Sequence, residues 1–541
     1  MQVRHLLWLL GFTLVVMLGY WLATTALPQP PLRAHSPMAT MAPDTAVTAE
    51  EERPKFRRGE RLPAGWRDAE AAKAGALEGQ RVLVFKDAAG LARFLARLGG
   101  QVRLLGRLDA LNALRVGFED ANDLLALLDG DEQQSMVFPV TAPFPREGSV
   151  QPGAVPLGNR LLDWLGVTGD NSNWGKGVLI AILDTGVTAS SAFNSAVRSI
   201  NLVEIPTDLT EQNGHGTAVA SLIIGGNSLT PGVAPGADIL SVRIADDNGT
   251  SDSFLLAKGI VAAVDAGAGL INISMGSLGD SALVRNAVQY ALEHGVLIAA
   301  AAGNNGTDQV SYPAANPGVI AVGAVDALGN HLDFSNSGAV IALAAPGYGI
   351  NAAWTGDQAM TVSGTSFSTP IVIGAIAAIM TQSGAGNLTP AQAYQKMTAC
   401  LNDSGAAGQD PQLGGGMPDL GRVLNAGTPG IYDAAVASTR ILEPDPGNPY
   451  GQVEILIQNR GTAALVNTTV KVSTGAGEVA TNITSLVPNA VQTVRIPISQ
   501  PPAAEASSIR VDARVLLSGG YQDAKPSNDR RVETYVRAAA P

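Results

Sequence analysis

Val178-Leu179-Ile180-Ala181-Ile182-Leu183-Asp184-Thr185-Gly186 is the stretch that decides the fold. Its apolar residues run without a polar break and stop at a carboxylate and a turn. A strand with one wet face alternates apolar and polar side chains, whereas an unbroken apolar run of this length belongs to a sheet covered on both faces. Similar runs recur at 239–244, 270–274, 296–300 and 319–322. Helical stretches at 217–224, 253–266, 281–293 and 369–380 separate them. This alternation predicts an α/β domain over residues 155–428, built on an open, mostly parallel sheet.

The flanks read differently. Residues 80–145 carry strand patterns at 82–85, 102–108, 114–118 and 136–140, with helical patterns at 91–98 and 122–128. That β-α-β-β-α-β order predicts a small α+β unit of split βαβ type. A Pro/Gly-rich connector follows at 142–154, and a Pro/Ala-rich linker fills 28–79. Over 431–541, short alternating strands at 453–457, 470–472, 491–498 and 509–517 predict a β-sandwich. Residues 1–27 hold a charged start, Arg4-His5, and an apolar run from Leu6 to Leu27. That run reaches the roughly 20 residues a membrane-spanning helix needs. An uncleaved anchor and a cleaved signal peptide are both open readings, with Thr24-Thr25-Ala26 a poor cleavage site; a buried core helix is the third. Either of the first two sends the remainder out of the cytoplasm, anchored in a membrane or secreted.

Hydrophobic residues make up 46% of the 541 and charged ones 15%, which fits a mostly globular chain. A net charge of −12, with no Lys/Arg stripe, excludes a nucleic-acid partner. The single cysteine, Cys400, excludes an intrachain disulfide and reads as a buried structural thiol. No cofactor or metal site is expected: Asp246, Asp247 and Asp252 read as a solvated acidic loop, and calcium stays open without support from the sequence.

Four segments hold groups that nucleophilic catalysis requires, each at an element end. A serine attacks a carbonyl only with a neutral imidazole beside it, a carboxylate fixing the imidazole and donors for the oxyanion. Asp184 ends a strand, where a turn cap is the plainer reading. His215 stands between Gly214 and Gly216 before a helix, and taken alone a loop histidine is as good a reading. Ser366 opens an apolar helix, where a simple helix cap competes. Asn304, in Ala302-Gly303-Asn304-Asn305-Gly306, also reads as an Asn-Gly turn. Singly these are ordinary; together, in the order Asp, His, Asn, Ser within one parallel-sheet domain, they point to a serine hydrolase.

The domain resembles the subtilisin-like serine proteases, the subtilase family. The resemblance rests on Ala181-Ile182-Leu183-Asp184-Thr185-Gly186-Val187, Gly214-His215-Gly216-Thr217, Val233-Ala234-Pro235, Asn272-Ile273-Ser274-Met275-Gly276, Ala301-Ala302-Gly303-Asn304, Ala344-Ala345-Pro346-Gly347 and Gly364-Thr365-Ser366. The chain order Asp, His, Ser is subtilisin's own. The resemblance implies Asp184 as orienter, His215 as base, Ser366 as nucleophile and Asn304 as oxyanion donor. It also implies that Ser274-Met275-Gly276 and Gly249-Thr250 are strands that pair with an extended peptide. Ser311 is expected at the base of the main specificity pocket, with a neutral or apolar preference. By the same resemblance, residues 80–145 are an inhibitory propeptide removed by a cut between 145 and 155. Departures are Ala218 and Ser221 after the histidine, and Phe367, Ser368, Thr369 and Ile371 after the serine. Residues 225–231 are short where relatives bind calcium, so that site is not carried over.

The expected function is an exported serine endopeptidase, autoprocessed from a zymogen, acting on protein or peptide substrates through an acyl-enzyme. Its own propeptide is the expected intramolecular inhibitor, and its N-terminal segment a possible membrane contact. Two alternatives are a catalytically silent binding scaffold and an esterase using the same triad.

Overall fold

The computed structural model describes residues 71, 74–130, 132–142, 149–203, 213–382, 387–474, 477–499 and 507–537. The expected membrane or signal segment, nearly all of the 28–79 linker and part of the 145–155 connector lie outside them.

The first elements are β1 (Gln80–Val84), α1 (Ala88–Arg97), β2 (Val102–Leu108), β3 (Ala113–Phe118), α2 (Ala121–Leu127) and β4 (Gln133–Ser135). They form an antiparallel sheet in the order β2-β3-β1-β4. Both helices start on aspartates: Asp87 accepts from the Gly90 N–H and Asp120 from the Asn122 N–H, each at 2.8 Å. Phe94, Leu83, Leu114 and Val116 fill the space between helices and sheet. The expected strand at 136–140 is corrected. Pairing with β1 ends at Ser135, and a separate strand, β5 (Pro139–Thr141), leaves to pair with β9 (Thr250–Asp252). β4 is the edge of the leader sheet, so the chain can leave it without breaking a ladder on its outer side, and Pro139 opens the new strand, a position that proline tolerates.

The middle of the chain contains α3 (Leu161–Trp164), β6 (Leu179–Asp184), β7 (Val197–Asn201), α4 (His215–Ile224), β8 (Asp238–Arg243), β9, α5 (Ser253–Asp265), β10 (Leu270–Ile273), α6 (Ala282–Glu293) and β11 (Leu297–Ala301). It continues with β12 (Val319–Val325), β13 (Ile341–Pro346), β14 (Ile350–Trp354), β15 (Gln358–Val362), α7 (Thr365–Gln382), α8 (Pro390–Thr398) and α9 (Leu420–Asn425). Seven parallel strands lie in the order β13-β12-β11-β10-β6-β8-β7. The apolar run of β6 is unbroken because its alternate residues enter different cores. Ile180 and Ile182 pack with α4 and α7, while Ala181 and Leu183 pack with α5 and α6. Sequence patterning did not announce β7, an edge strand whose Arg198 and Ser199 face water, or the β14–β15 hairpin. α7 is the one described helix long and apolar enough to cross a membrane, and it lies inside this core.

α7 starts at Thr365, four residues before the expected 369, so Pro370 falls inside it. Proline lacks the N–H that would bond the carbonyl four residues back, which is that of Ser366. That carbonyl instead accepts from the Ser274 hydroxyl at 2.6 Å.

The last elements are β16 (Ala434–Leu442), β17 (Gln452–Asn459), β18 (Leu465–Ser473), β19 (Glu478–Leu486), β20 (Val491–Pro497), β21 (Ser507–Leu516) and β22 (Arg530–Arg537). Sheets β16-β17-β20 and β19-β18-β21-β22 face each other over Ile455, Ile457, Val470, Val472, Val511 and Val515. A polar seam joins this sandwich to the parallel-sheet domain. The Arg422 guanidinium donates to the carbonyls of Cys400, Leu401 and Arg460 and to the side chains of Asn402 and Asn489. Ser438 donates to the Gly405 carbonyl, Gln458 to Leu401 and Arg531 to Asn330. Cys400 is buried beside the seam, and burial pushes its thiol up.

Candidate active site

Asp184 ends β6, an interior strand of the sheet between β10 and β8, and is completely buried. Its Oδ1 accepts from the Thr185 N–H and from His215 Nδ1, both at 2.8 Å. Oδ2 is buried without a hydrogen-bond partner, so the carboxylate directs its acceptor strength at that shared oxygen.

His215 opens α4, and the glycines on either side are needed for its placement. A Cβ on Gly216 would stand 2.0 Å from the Gly186 carbonyl oxygen, and one on Gly214 would stand 2.3 Å from the Trp354 indole. Two chain segments thus press directly on the backbone around the histidine.

Ser366, the second residue of α7, donates its hydroxyl to the Ser274 carbonyl at 2.9 Å, while its own carbonyl accepts from the Ser274 hydroxyl. In this state the nucleophile's proton is directed at the neighbouring strand, an arrangement common before substrate tightens a catalytic site. The next side chain, Phe367, lies against the His215 ring with centroids 5.2 Å apart.

Asn304 follows β11. Its Oδ1 accepts from the Thr365 N–H and hydroxyl, both at 2.9 Å, which leaves Nδ2 as the donor side of the amide. Asn304 and Ser366 line one cavity of about 490 Å³. Its remaining wall includes Ser274, Met275, Gly276 and Ser311, with no charged side chain. Gly276 lies so close to Ser311 that a Cβ would stand 2.9 Å from that of the serine.

β5, whose Pro139 and Thr141 line this cavity, runs between Gly276 on one side and Gly249-Thr250 on the other. Thr141 exchanges both backbone hydrogen bonds with Gly276, at 3.0 and 2.8 Å, and the Ala142 N–H reaches the Gly249 carbonyl at 3.3 Å. Phe138, just before β5, covers Gly279. Arg115 of β3 donates to Asp252 at 2.7 Å. The reading of Asp252 as part of a solvated acidic loop is corrected: it is buried, caps α5 and accepts from Arg115. Asp247 pairs with Arg243 and Asp246 closes its own turn, so all three aspartates have protein partners. Sequence reasoning missed Thr365 and Trp354 as site residues; a small hydroxyl beside a serine and a lone tryptophan carry no chemical signature.

The parallel-sheet domain with a buried Asp–His pair and a serine at a helix start defines a class of serine hydrolase. This chain belongs to the subtilase family, whose profile matches residues 175–416. It is 36% identical over 208 residues to subtilisin Savinase of Lederbergia lenta, a match taking in 38% of this chain and 77% of that one. It is 38% identical over 208 residues to a thermostable alkaline protease of Halalkalibacterium halodurans, covering 38% of this chain and 57% of that one. The chain thus spans little more than half of that second relative. A solved structure of a mutant protease domain of PatA is 33% identical, covers 47% of this chain and 95% of its own, and superposes with a TM-score of 0.43.

Proposed function

We propose that the protein is a serine endopeptidase acting through Ser366, held inactive before processing by its own leader domain. One observation carries the reading: Phe367, next to Ser366, rests on the imidazole that Asp184 holds, and the cavity shared by Ser366 and Asn304 is already walled by Pro139 and Thr141 of an internal strand paired as a peptide would be.

In this mechanism the Ser366 hydroxyl leaves the Ser274 carbonyl and turns to His215. The imidazole takes its proton as Oγ bonds to the peptide carbonyl carbon. Asp184 fixes the tautomer and stabilises the imidazolium. The Asn304 amide and the Ser366 N–H hold the oxyanion. The imidazolium then protonates the leaving amine as the C–N bond breaks, and water releases the acyl group by the reverse relay. Substrate pairs as an added strand with Gly276 on one side and Gly249-Thr250 on the other. The uncharged cavity wall, with Ser311 behind it, favours a neutral or apolar side chain.

Leader removal by a cut in the 145–155 connector frees the cleft, and the N-terminal apolar segment delivers the enzyme outside the cytoplasm. A fluorophosphonate should label Ser366, and Ser366→Ala should abolish labelling, peptide hydrolysis and self-processing. A folded, processed sample that hydrolyses no peptide overturns the reading.

A further inference from the structure

Three contacts already hold the His215 segment: Asp184 on Nδ1, the Gly186 carbonyl beneath Gly216, and the Trp354 indole over Gly214. The Nδ1 bond to Asp184 holds one edge of the imidazole, and a fourth contact supports the ring itself. The Phe367 ring is fully buried, and it lies against the imidazole at 5.2 Å between centroids and 49° between planes. Phe367 directly follows the nucleophile in the first turn of α7, where its N–H donates to the Gly364 carbonyl at 3.0 Å. Consecutive helical residues point about 100° apart, so a single turn carries both the hydroxyl to be deprotonated and the surface that steadies its base. Phe367 brings no charge and no hydrogen-bonding group, so what it contributes is shape and the exclusion of water.

We propose that Phe367 is a positioning residue for catalysis: its ring sets the plane of the His215 imidazole relative to Ser366 and shields the Nδ1–Asp184 hydrogen bond from water. The inference rests on the proteolytic reading above. Leucine at this position keeps an apolar side chain long enough to reach the imidazole, and alanine does not.

The test compares Phe367→Ala and Phe367→Leu in the processed enzyme, with rates normalised to active sites titrated by a fluorophosphonate. Phe367→Ala is expected to lower kcat about 10- to 30-fold with KM within about twofold, since misplacing a reacting group by a fraction of an ångström has effects of this size. Phe367→Leu is expected to stay within about threefold of the parent. If the alanine variant does not fold, Phe367→Val carries the same expectation as alanine. A second readout needs no turnover: in the Ser366→Ala full-length chain, NMR follows exchange of the His215 Nδ1 proton with solvent. That exchange should speed up at least about tenfold with Phe367→Ala and stay within about twofold with Phe367→Leu, because an apolar neighbour closes the water path. A folded alanine variant with unchanged kcat and unchanged exchange overturns the proposal, as does a leucine variant impaired as much as alanine. An inert parent whose Nδ1 exchange still responds to Phe367→Ala overturns the proteolytic reading and leaves the positional one standing.

Discussion

Replacing Arg115 by methionine should loosen the leader strand from the cleft without unfolding the leader domain. Arg115 Nη1 donates to Asp252 Oδ2 at 2.7 Å, with only 15% and 10% of the two side chains exposed. Breaking a buried pair from one side generally costs about 3–5 kcal/mol, because the remaining charge is left without its partner. Here Asp252 keeps two other donors, since its Oδ1 caps α5 through the Phe254 and Leu255 N–H groups at 2.9 and 3.0 Å. The positive end of the helix also supports it. The expected loss is therefore about 2 kcal/mol, or roughly a 30-fold rise in the open population of β5. The assay is hydrogen exchange at the Gly276 amide, which donates to Thr141, in the Ser366→Ala chain so that the leader stays attached. Asp252→Asn retains the cap and loses the ion pair, so a double-mutant cycle should return a coupling of about 1.5 kcal/mol. A coupling below about 0.5 kcal/mol, or exchange within about threefold of the parent, would refute the idea that this pair latches the strand.

Asn304→Ala should lower kcat by about 10²–10³ with little change in KM, a magnitude known for the corresponding amide of subtilisin rather than obtained from this geometry; steady-state peptide kinetics checks it. Arg422→Met removes five hydrogen bonds, two of them across the seam to Arg460 and Asn489, and should destabilise the chain by about 2–3 kcal/mol in urea unfolding. Asp403→Asn should stabilise the protein at pH 7–8 but not below pH 4. Burial pushes the Asp403 carboxyl up to about 6 from 3.8. The folded state therefore favours its protonated form, and the destabilisation appears as pH rises from about 4 to 6 and is complete above that. Asparagine keeps the bond from the Gly408 N–H and removes the charge. The expected gain at pH 7 is about 2 kcal/mol, read as a thermal-midpoint difference that vanishes in acid.

The parallel sheet was legible because Ile180 to Leu183 are buried on both faces, a condition that leaves an unbroken apolar run. β7 was not, because an edge strand with Arg198 and Ser199 in water carries the composition of a loop. β19 and β22 were hidden for another reason: their outward faces mix polar residues with exposed Val479, Val532 and Val536, which blurs the alternation of a half-buried strand. The roles of Asp184, His215, Asn304 and Ser366 could be named because the motifs around them resemble those of the subtilase family; each residue taken alone had a plainer reading as a cap or a turn. What surrounds them could not. That Thr365 turns the Asn304 amide and that Trp354 presses on Gly214 are facts of long-range packing, and neither side chain announces its neighbour. The exit of β5 from the leader sheet was hidden for a related reason: Val137 and Val140 are both fully buried, so the apolar pattern runs straight through the point where the strand changes partners.

The seam centred on Arg422 has a mechanical consequence. Because guanidinium and amide groups lock the sandwich to the loops after α8, this module is no bead on a string. Any surface that comes to rest against its outer sheet meets the cleft at one set offset and one set angle, with none of the slack that a tether would give.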